Sequence, residues 1–217
     1  MLTRSIPVLT LLGIAGISSA TVLIFENTAA SSLVNGDFIS STPYGHRVDA
    51  ATVGTYAYGT SHGFTPNVTA AWSGTNGFPS GWGAGYSSLV NVVWGSGSSA
   101  GVNEIHLTLE ADAGFFIEFR GLDVGRWTTG TYPGSYVTLT DADNNTVDLL
   151  TNTELGSTLS LDYNANPYLS TKFTLTFGQA WWTALDNVAF SQTTVPEPAT
   201  LAALGAGLAF LGRRRRR

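Results

Sequence analysis

The chain has 217 residues, a formal net charge of −5 and no cysteine, which excludes disulfides, catalytic thiols and thiolate metal sites. Its cations are concentrated at the ends. Between residues 31 and 195 only Arg47, Arg120, Arg126 and Lys172 stand against 13 acids, so the middle carries about −9 and is no expected partner for nucleic acid.

Residues 1–30 read as a secretory signal, a removable N-terminal helix. Arg4 gives the positive start, and Ile6 to Ile17 gives an apolar stretch carried by Val8, Leu9, Leu11, Leu12 and Ile14. Small residues then allow cleavage after Ala20 (Ser18-x-Ala20) or after Ala30 (Thr28-x-Ala30). The second is preferred here, because Val22 to Phe25 prolongs the apolar run. An uncleaved anchor is the alternative.

The delivered domain is expected at 31–194. Its first third has an unusual texture: residues 51–101 are rich in Gly and Ser yet carry Tyr56, Tyr58, Phe64, Trp72, Phe78, Trp82, Tyr86 and Trp94. Disordered chains are poor in aromatics, so the span reads as long ordered loops between short strands, with Leu89 to Trp94 the clearest strand. Gly97-Ser98-Ser99-Ala100-Gly101 matches a nucleophile-elbow string. An elbow needs a helix after it, and the residues that follow, Val102 to Glu110, alternate like a strand.

From there on the period is two. Ile105, Leu107 and Leu109 alternate with polar neighbours, as do Phe115, Ile117 and Phe119, then Val137 and Leu139, then Phe173, Leu175 and Phe177. Turn residues separate these runs at Ala113-Gly114, Tyr132-Pro133-Gly134, Asp141 to Asn145 and Asn164 to Pro167. No sustained helical stripe interrupts them. The expected fold is all-β, an antiparallel β-sandwich of jelly-roll type flanked by the signal helix and a short C-terminal hydrophobic helix.

Candidate chemistry is sparse. His46, His62 and His106 lack metal-ligand spacing and read as ordinary surface histidines. Asp141-x-Asp143-Asn144-Asn145 starts like a calcium loop, but Thr146 and Asn152 stand where an EF-hand needs Gly and Glu, so a hairpin turn is the better account. Glu104, Glu110 and Glu118 project from strands with nothing to single out a hydrolytic pair. Trp72, Trp82 and Trp94, with Trp127 and Trp181, are candidate carbohydrate contacts, because a flat indole covers the apolar face of a sugar ring.

The domain opens with Leu33-Val34-Asn35-Gly36-Asp37-Phe38 and closes with Trp182-Thr183-Ala184-Leu185-Asp186-Asn187-Val188-Ala189-Phe190. This pairing resembles the galactose-binding-like jelly rolls, which include several carbohydrate-binding modules. The resemblance implies adjacent first and last strands and a structural calcium ion, with Asp186 as a ligand and Asp37 as a further candidate. Ile39 occupies the place of the family's opening glutamate, so Asp186 reads equally as a turn residue. No other cofactor is expected.

The last 23 residues, 195–217, run Val195-Pro196-Glu197-Pro198, then Ala199 to Leu211 almost wholly apolar, then Gly212 and Arg213, Arg214, Arg215, Arg216 and Arg217. As a helix the apolar part reaches ~20 Å at ~1.5 Å per residue, short of a ~30 Å bilayer core unless the arginine stems extend it. The arginines orient this end toward the cytoplasm, which leaves the domain outside. The segment resembles the PEP-CTERM sorting signal of Gram-negative bacteria. That resemblance implies a transient inner-membrane anchor, processing by exosortase, and a setting of exopolysaccharide production and biofilm.

The expected protein is thus exported to the periplasm, outer surface or extracellular matrix and is non-enzymatic, with extracellular polysaccharide as its partner. A structural or adhesive matrix protein that binds other proteins is the alternative. An exported hydrolase comes third.

Overall fold

The computed structural model describes residues 20–25, 39, 46–47, 65–97, 103–127, 135–153, 155 and 157–195. No helix occurs among them, and none long and apolar enough to cross a membrane. Both expected terminal helices, with Pro196, Glu197, Pro198 and the arginine run, lie outside the described residues, as do Asp37 and His62.

Thirteen strands follow in chain order. The first five are β1 (Thr21–Leu23), β2 (His46–Arg47), β3 (Val68–Thr75), β4 (Gly77–Tyr86) and β5 (Leu89–Gly97). Next come β6 (Glu104–Ala111), β7 (Phe115–Arg126), β8 (Ser135–Asp141) and β9 (Thr146–Thr153). The last four are β10 (Leu159–Asp162), β11 (Tyr168–Ser170), β12 (Lys172–Gly178) and β13 (Thr183–Thr194). They form two antiparallel sheets. The first runs β10-β7-β13-β5-β4, with β1 also on β13 and β11 also on β7; the second runs β2-β3-β6-β12-β8-β9.

The alternating runs make the sandwich. In the second sheet Leu175 of β12 stands between Leu107 of β6 and Leu139 of β8, and Phe177 stands between Ile105 and Val137. The same inward face carries Leu109 and Phe173, and it meets Ile117, Phe119, Val124, Leu185, Val188 and Phe190 of the first sheet in one continuous core. Thr108, Thr138 and Thr174, one residue out of phase, are half-exposed.

Residues 65–97, expected as long loops between short strands, are instead mostly regular sheet, and the expected strand Leu89 to Trp94 lies within β5. Residues 68–97 form the three strands β3, β4 and β5, of 8, 10 and 9 residues. Glycine hides the period-two pattern there because neighbouring backbone comes too close for a side chain. A Cβ on Gly95 would lie 2.6 Å from that of Ala180, whose carbonyl accepts the Gly95 N–H at 2.8 Å. Trp72 is corrected with its strand. It points inward from β3, is 1% exposed and meets Phe25 edge-on at 5.8 Å, so it belongs to the core and is no carbohydrate contact.

The N-terminal side also differs from expectation. β1 precedes the expected domain start at residue 31 and pairs with β13, Leu23 opposite Val188. Residues 33–38 lie outside the described residues. Ile39, next in line, is buried and donates its N–H to Pro79 of β4, with β5 between that strand and β13. Of the N-terminal residues it is β1 that pairs with the last strand.

Phe173→Ala removes a ring from the centre of this core and is expected to destabilise the protein by ~3–5 kcal/mol, read as a fall in the denaturant midpoint. Thr138→Ala, on the outer face, is expected to stay within ~0.5 kcal/mol of wild type.

Candidate functional site

On β13, side chains alternate between the two faces of the first sheet. Leu185 enters the main core, and Ala184 faces outward into a second apolar cluster. There Tyr86, Leu89, Val92 and Trp94 are buried, and Trp82, Trp127 and Trp181 pack against them half-buried. The rings form an edge-to-face chain. Tyr86 to Trp127 is 5.1 Å, Trp127 to Trp82 is 5.7 Å, Trp82 to Trp94 is 5.2 Å and Trp94 to Trp181 is 4.8 Å. Such pairs contribute ~0.5–1.5 kcal/mol each beyond their area.

The backbone shapes this cluster. Gly85, at φ 112°, would place a Cβ 2.7 Å from the Trp127 ring, so the indole lies directly on the β4 backbone. Trp181 stands in the turn before β13, where its N–H donates to Oδ1 of buried Asn103 at 3.2 Å. Asn103 in turn donates to the Gly95 carbonyl at 3.1 Å, which ties that turn to β5. The Tyr86 hydroxyl donates to the Trp181 carbonyl at 2.7 Å, and Trp82 Nε1 donates to the Ala84 carbonyl at 2.8 Å. Burial pushes the Tyr86 hydroxyl far above its ordinary pKa, so it stays a neutral donor. The indole N–H of Trp94 is buried without a protein acceptor.

Trp82, Tyr86, Trp94, Trp127 and Trp181 line a cavity of about 140 Å³. Drug-sized ligands occupy ~300–1,000 Å³, so this pocket accepts one ring at most. Of the sequence candidates, Trp82 and Trp94 line this cavity from the adjacent strands β4 and β5. The pocket also draws on Tyr86, Trp127 and Trp181, which are scattered over almost 100 positions of chain and share no local motif.

Hydrogen-bonding groups lie along the same outer face. Asp186, two residues beyond Ala184, stands opposite Asp123 of β7. The Asn187 amide donates to Asp123 Oδ2 at 2.8 Å and to Asp186 Oδ2 at 3.3 Å, while Ser160 hydrogen-bonds Asp123 Oδ1 at 2.5 Å. Asn187 is left-handed at φ 51°, and the register of β13 shifts between Asp186 and Ala189, so the cluster clamps a β-bulge. It does not fit calcium. The ion needs about six oxygens, whereas here an amide N–H₂ points at both carboxylates, and no group of three or more His, Asp or Glu side chains converges among the described residues. Asp186 lies at the β13 bulge, where its carboxylate accepts from Asn187.

The remaining sequence candidates are also tied to structural partners. Asp141 Oδ1 accepts the N–H groups of Asp143 and Asn145, each at 2.9 Å, inside the β8–β9 turn. The Asn145 side chain holds the Asp141 carboxyl below its ordinary pKa. Glu104 accepts from the Tyr136 hydroxyl, Glu110 is 4.0 Å from Lys172, and Glu118 binds Arg120 and Ser191. Glu104 and Glu110 stand at opposite ends of β6, ~20 Å apart at ~3.4 Å per residue, far beyond the ~5–9.5 Å of a glycosidase pair. Asp123 and Asp186 do face each other, but the Asn187 amide fills the space between them.

The C-terminal residues 194–217 match the family described as the PEP-CTERM protein-sorting motif. This motif marks a secreted protein that exosortase sorts and that is transiently anchored at the membrane. Among curated proteins none matches the chain. The solved structures similar to it include a GH29 fucosidase of Ruminococcus gnavus in complex with fucose and a mutant of the same enzyme, also with fucose, each at 11% identity and a TM-score of 0.33. The similarity covers 60% of this chain, which spans 26% of the fucosidase chain.

His106, on the outer face of the second sheet, gives a pH prediction. Its ring nitrogens pair with Thr176 Oγ1 at 2.9 Å and Thr75 Oγ1 at 3.2 Å. Burial lowers its pKa from the ordinary 6.5, against the smaller opposing pull of Glu104. The unfolded chain therefore takes up the proton first, and stability is expected to fall as pH drops through about 6.5 toward the folded value. Denaturant midpoints at about pH 7.5 and pH 5 should show this slope in wild type and a shallower one in His106→Gln.

Proposed function

We propose that the chain is a non-enzymatic surface or matrix protein that holds extracellular polysaccharide in the pocket of Trp82, Tyr86, Trp94, Trp127 and Trp181. The observation that carries this reading is the pocket itself: five aromatic rings gathered on the outside of a sheet, with the polar atoms of Trp82 and Tyr86 turned to backbone. Ring faces of this kind suit the C–H face of a pyranose, and side chains held by their neighbours lose little entropy on binding. Export and sorting deliver such a domain to the place where exopolysaccharide accumulates.

The non-enzymatic part rests on the acids. Among the described residues, Glu104, Glu118, Asp123, Asp141 and Asp186 are hydrogen-bonded to their own partners and Glu110 is 4.0 Å from Lys172. A second reading, adhesion to another protein, draws on Phe78 and Val90, 58% and 60% exposed on the β4–β5 pair beside the pocket.

Affinity per site should be modest, on the order of 0.1–1 mM, or about −4 to −5.5 kcal/mol. Affinity electrophoresis through gels containing the producer's own polysaccharide is expected to retard wild type and Thr138→Ala. Trp127→Ala and Trp181→Ala should migrate as in a sugar-free gel. Unretarded wild type would end the sugar reading in favour of protein adhesion.

Exosortase is the processing partner that the tail implies. The form at the cell surface is expected to lack Arg213 to Arg217. Intact-mass measurement on protein from the native cells checks this, and a preserved pentarginine end refutes processing.

A further inference from the structure

We infer that the secretory signal is cut after Ala20, so that the mature protein begins at Thr21 on strand β1. The inference rests on the reading of the first 20 residues as a removable signal. Both Ser18-x-Ala20 and Thr28-x-Ala30 satisfy the small-residue rule for cleavage, so that rule alone does not separate them. The fold does.

The decisive observation is that residues 21–25 are built into the sandwich. Thr21, Val22 and Leu23 pair with Phe190, Ala189 and Val188 of β13. Thr21 and Leu23 are fully buried, Phe25 is 1% exposed and Ile24 8%. Phe25 lies edge-on to Trp72 at 5.8 Å, in the same core. The Thr21 hydroxyl shares a 2.9 Å hydrogen bond with that of Thr65, and both residues are completely buried.

Cleavage after Ala30 would remove all of this at once. The β13 edge from Val188 to Phe190 would lose its partner, because β5 pairs with β13 at Leu185, before the bulge. A row of unpaired backbone groups would open on a long strand, an aggregation liability. A void would form beside Trp72, and the Thr65 hydroxyl would lose its buried partner. Cleavage after Ala20 keeps every one of these contacts.

The signal's own proportions agree. Ile6 to Ile17 is 12 residues, within the ~7–15 of a signal's apolar region, whereas a run counted on to Phe25 is 20 and exceeds it. Val22 to Phe25 are apolar because the sandwich buries them. They belong to the domain and not to the signal.

The test is the N-terminus of the protein exported by its native cells, read by mass spectrometry of the terminal peptide. A start at Thr21 is the expected result. A start at Ser31 overturns the inference while leaving the signal reading intact, and an intact Met1 overturns both. Two processing variants add an independent readout. Ala20→Glu should accumulate full-length precursor and Ala30→Glu should be processed like wild type; the opposite pattern overturns the inference. A chain expressed from Ser31 should also melt at a lower temperature than one expressed from Thr21, and equal melting would remove the structural argument.

Discussion

The first sheet depends on how one strand, β13, divides its edges. Along one side it pairs with β7 from Thr183 to Thr194. On the other it pairs first with β5, at Leu185, and then with β1, from Val188 to Phe190. The change of partner falls at the bulge between Asp186 and Ala189, where the left-handed Asn187 turns the strand and its amide links the carboxylates of Asp186 and Asp123. A bulge inserts a residue and increases local twist, and this one allows a single strand to serve two neighbours that do not themselves continue one another. Before the bulge Ala184 supports the aromatic cluster outside. After it Val188 and Phe190 close the core beneath β1.

That division explains why a sandwich of this size carries two apolar clusters. The main core is filled by the facing sides of the sheets, so a ring on the outer face needs cover from its own neighbours. Trp82, Trp94, Trp127 and Trp181 supply it for one another by edge-to-face contacts, with Gly85 letting Trp127 rest on the backbone. Mutual cover of this kind leaves part of each of Trp82, Trp127 and Trp181 in contact with solvent. The result, among the described residues, is an aromatic surface carried by β4, β5 and the chain that flanks β7 and β13. Rigid strands hold side chains more closely than loops do, which favours binding through low entropy loss.

How much of this was legible in the sequence follows from the range over which each feature is encoded. β6, β8 and β12 declare themselves because each alternates within its own span, and β7 does so over its first half. The sorting tail is legible for the same reason: a short motif, an apolar run and an arginine cluster are all local. β3 and β4 read as loops because Gly74, Gly77 and Gly81 sit in their strands, and glycine carries no polarity for a period-two pattern to show, whereas Leu89 to Trp94 of β5 is legible as a strand. β1 was masked differently. Its apolar residues continue the composition of the signal before them, and only pairing with a strand some 165 positions away assigns them to the domain. Trp72 and Trp82 look alike as sequence, yet Trp72 faces inward from β3 and Trp82 faces outward from β4. No rule of composition distinguishes the two.

The same charge that set nucleic acid aside also constrains the glycan that the proposed pocket can take. The domain is near −9, and the lining of the pocket is wholly aromatic, with no cation among Trp82, Tyr86, Trp94, Trp127 and Trp181. A polar cluster on that face is itself anionic, with Asp123 and Asp186 hydrogen-bonded to Asn187 and Asp123 also to Ser160. A uronic-acid polymer would meet repulsion on approach, which salt or bridging cations would have to screen. A neutral pyranose pays no such cost and gains the stacking contact in full. One ring per pocket gives weak binding, but a sorted surface protein is present in many copies, and a polysaccharide presents many identical rings. Multivalency then raises the overall affinity well above that of a single site, provided the copies can engage one chain together. Under the proposed reading, a neutral, repeating glycan held by many shallow contacts therefore suits this surface better than an anionic one.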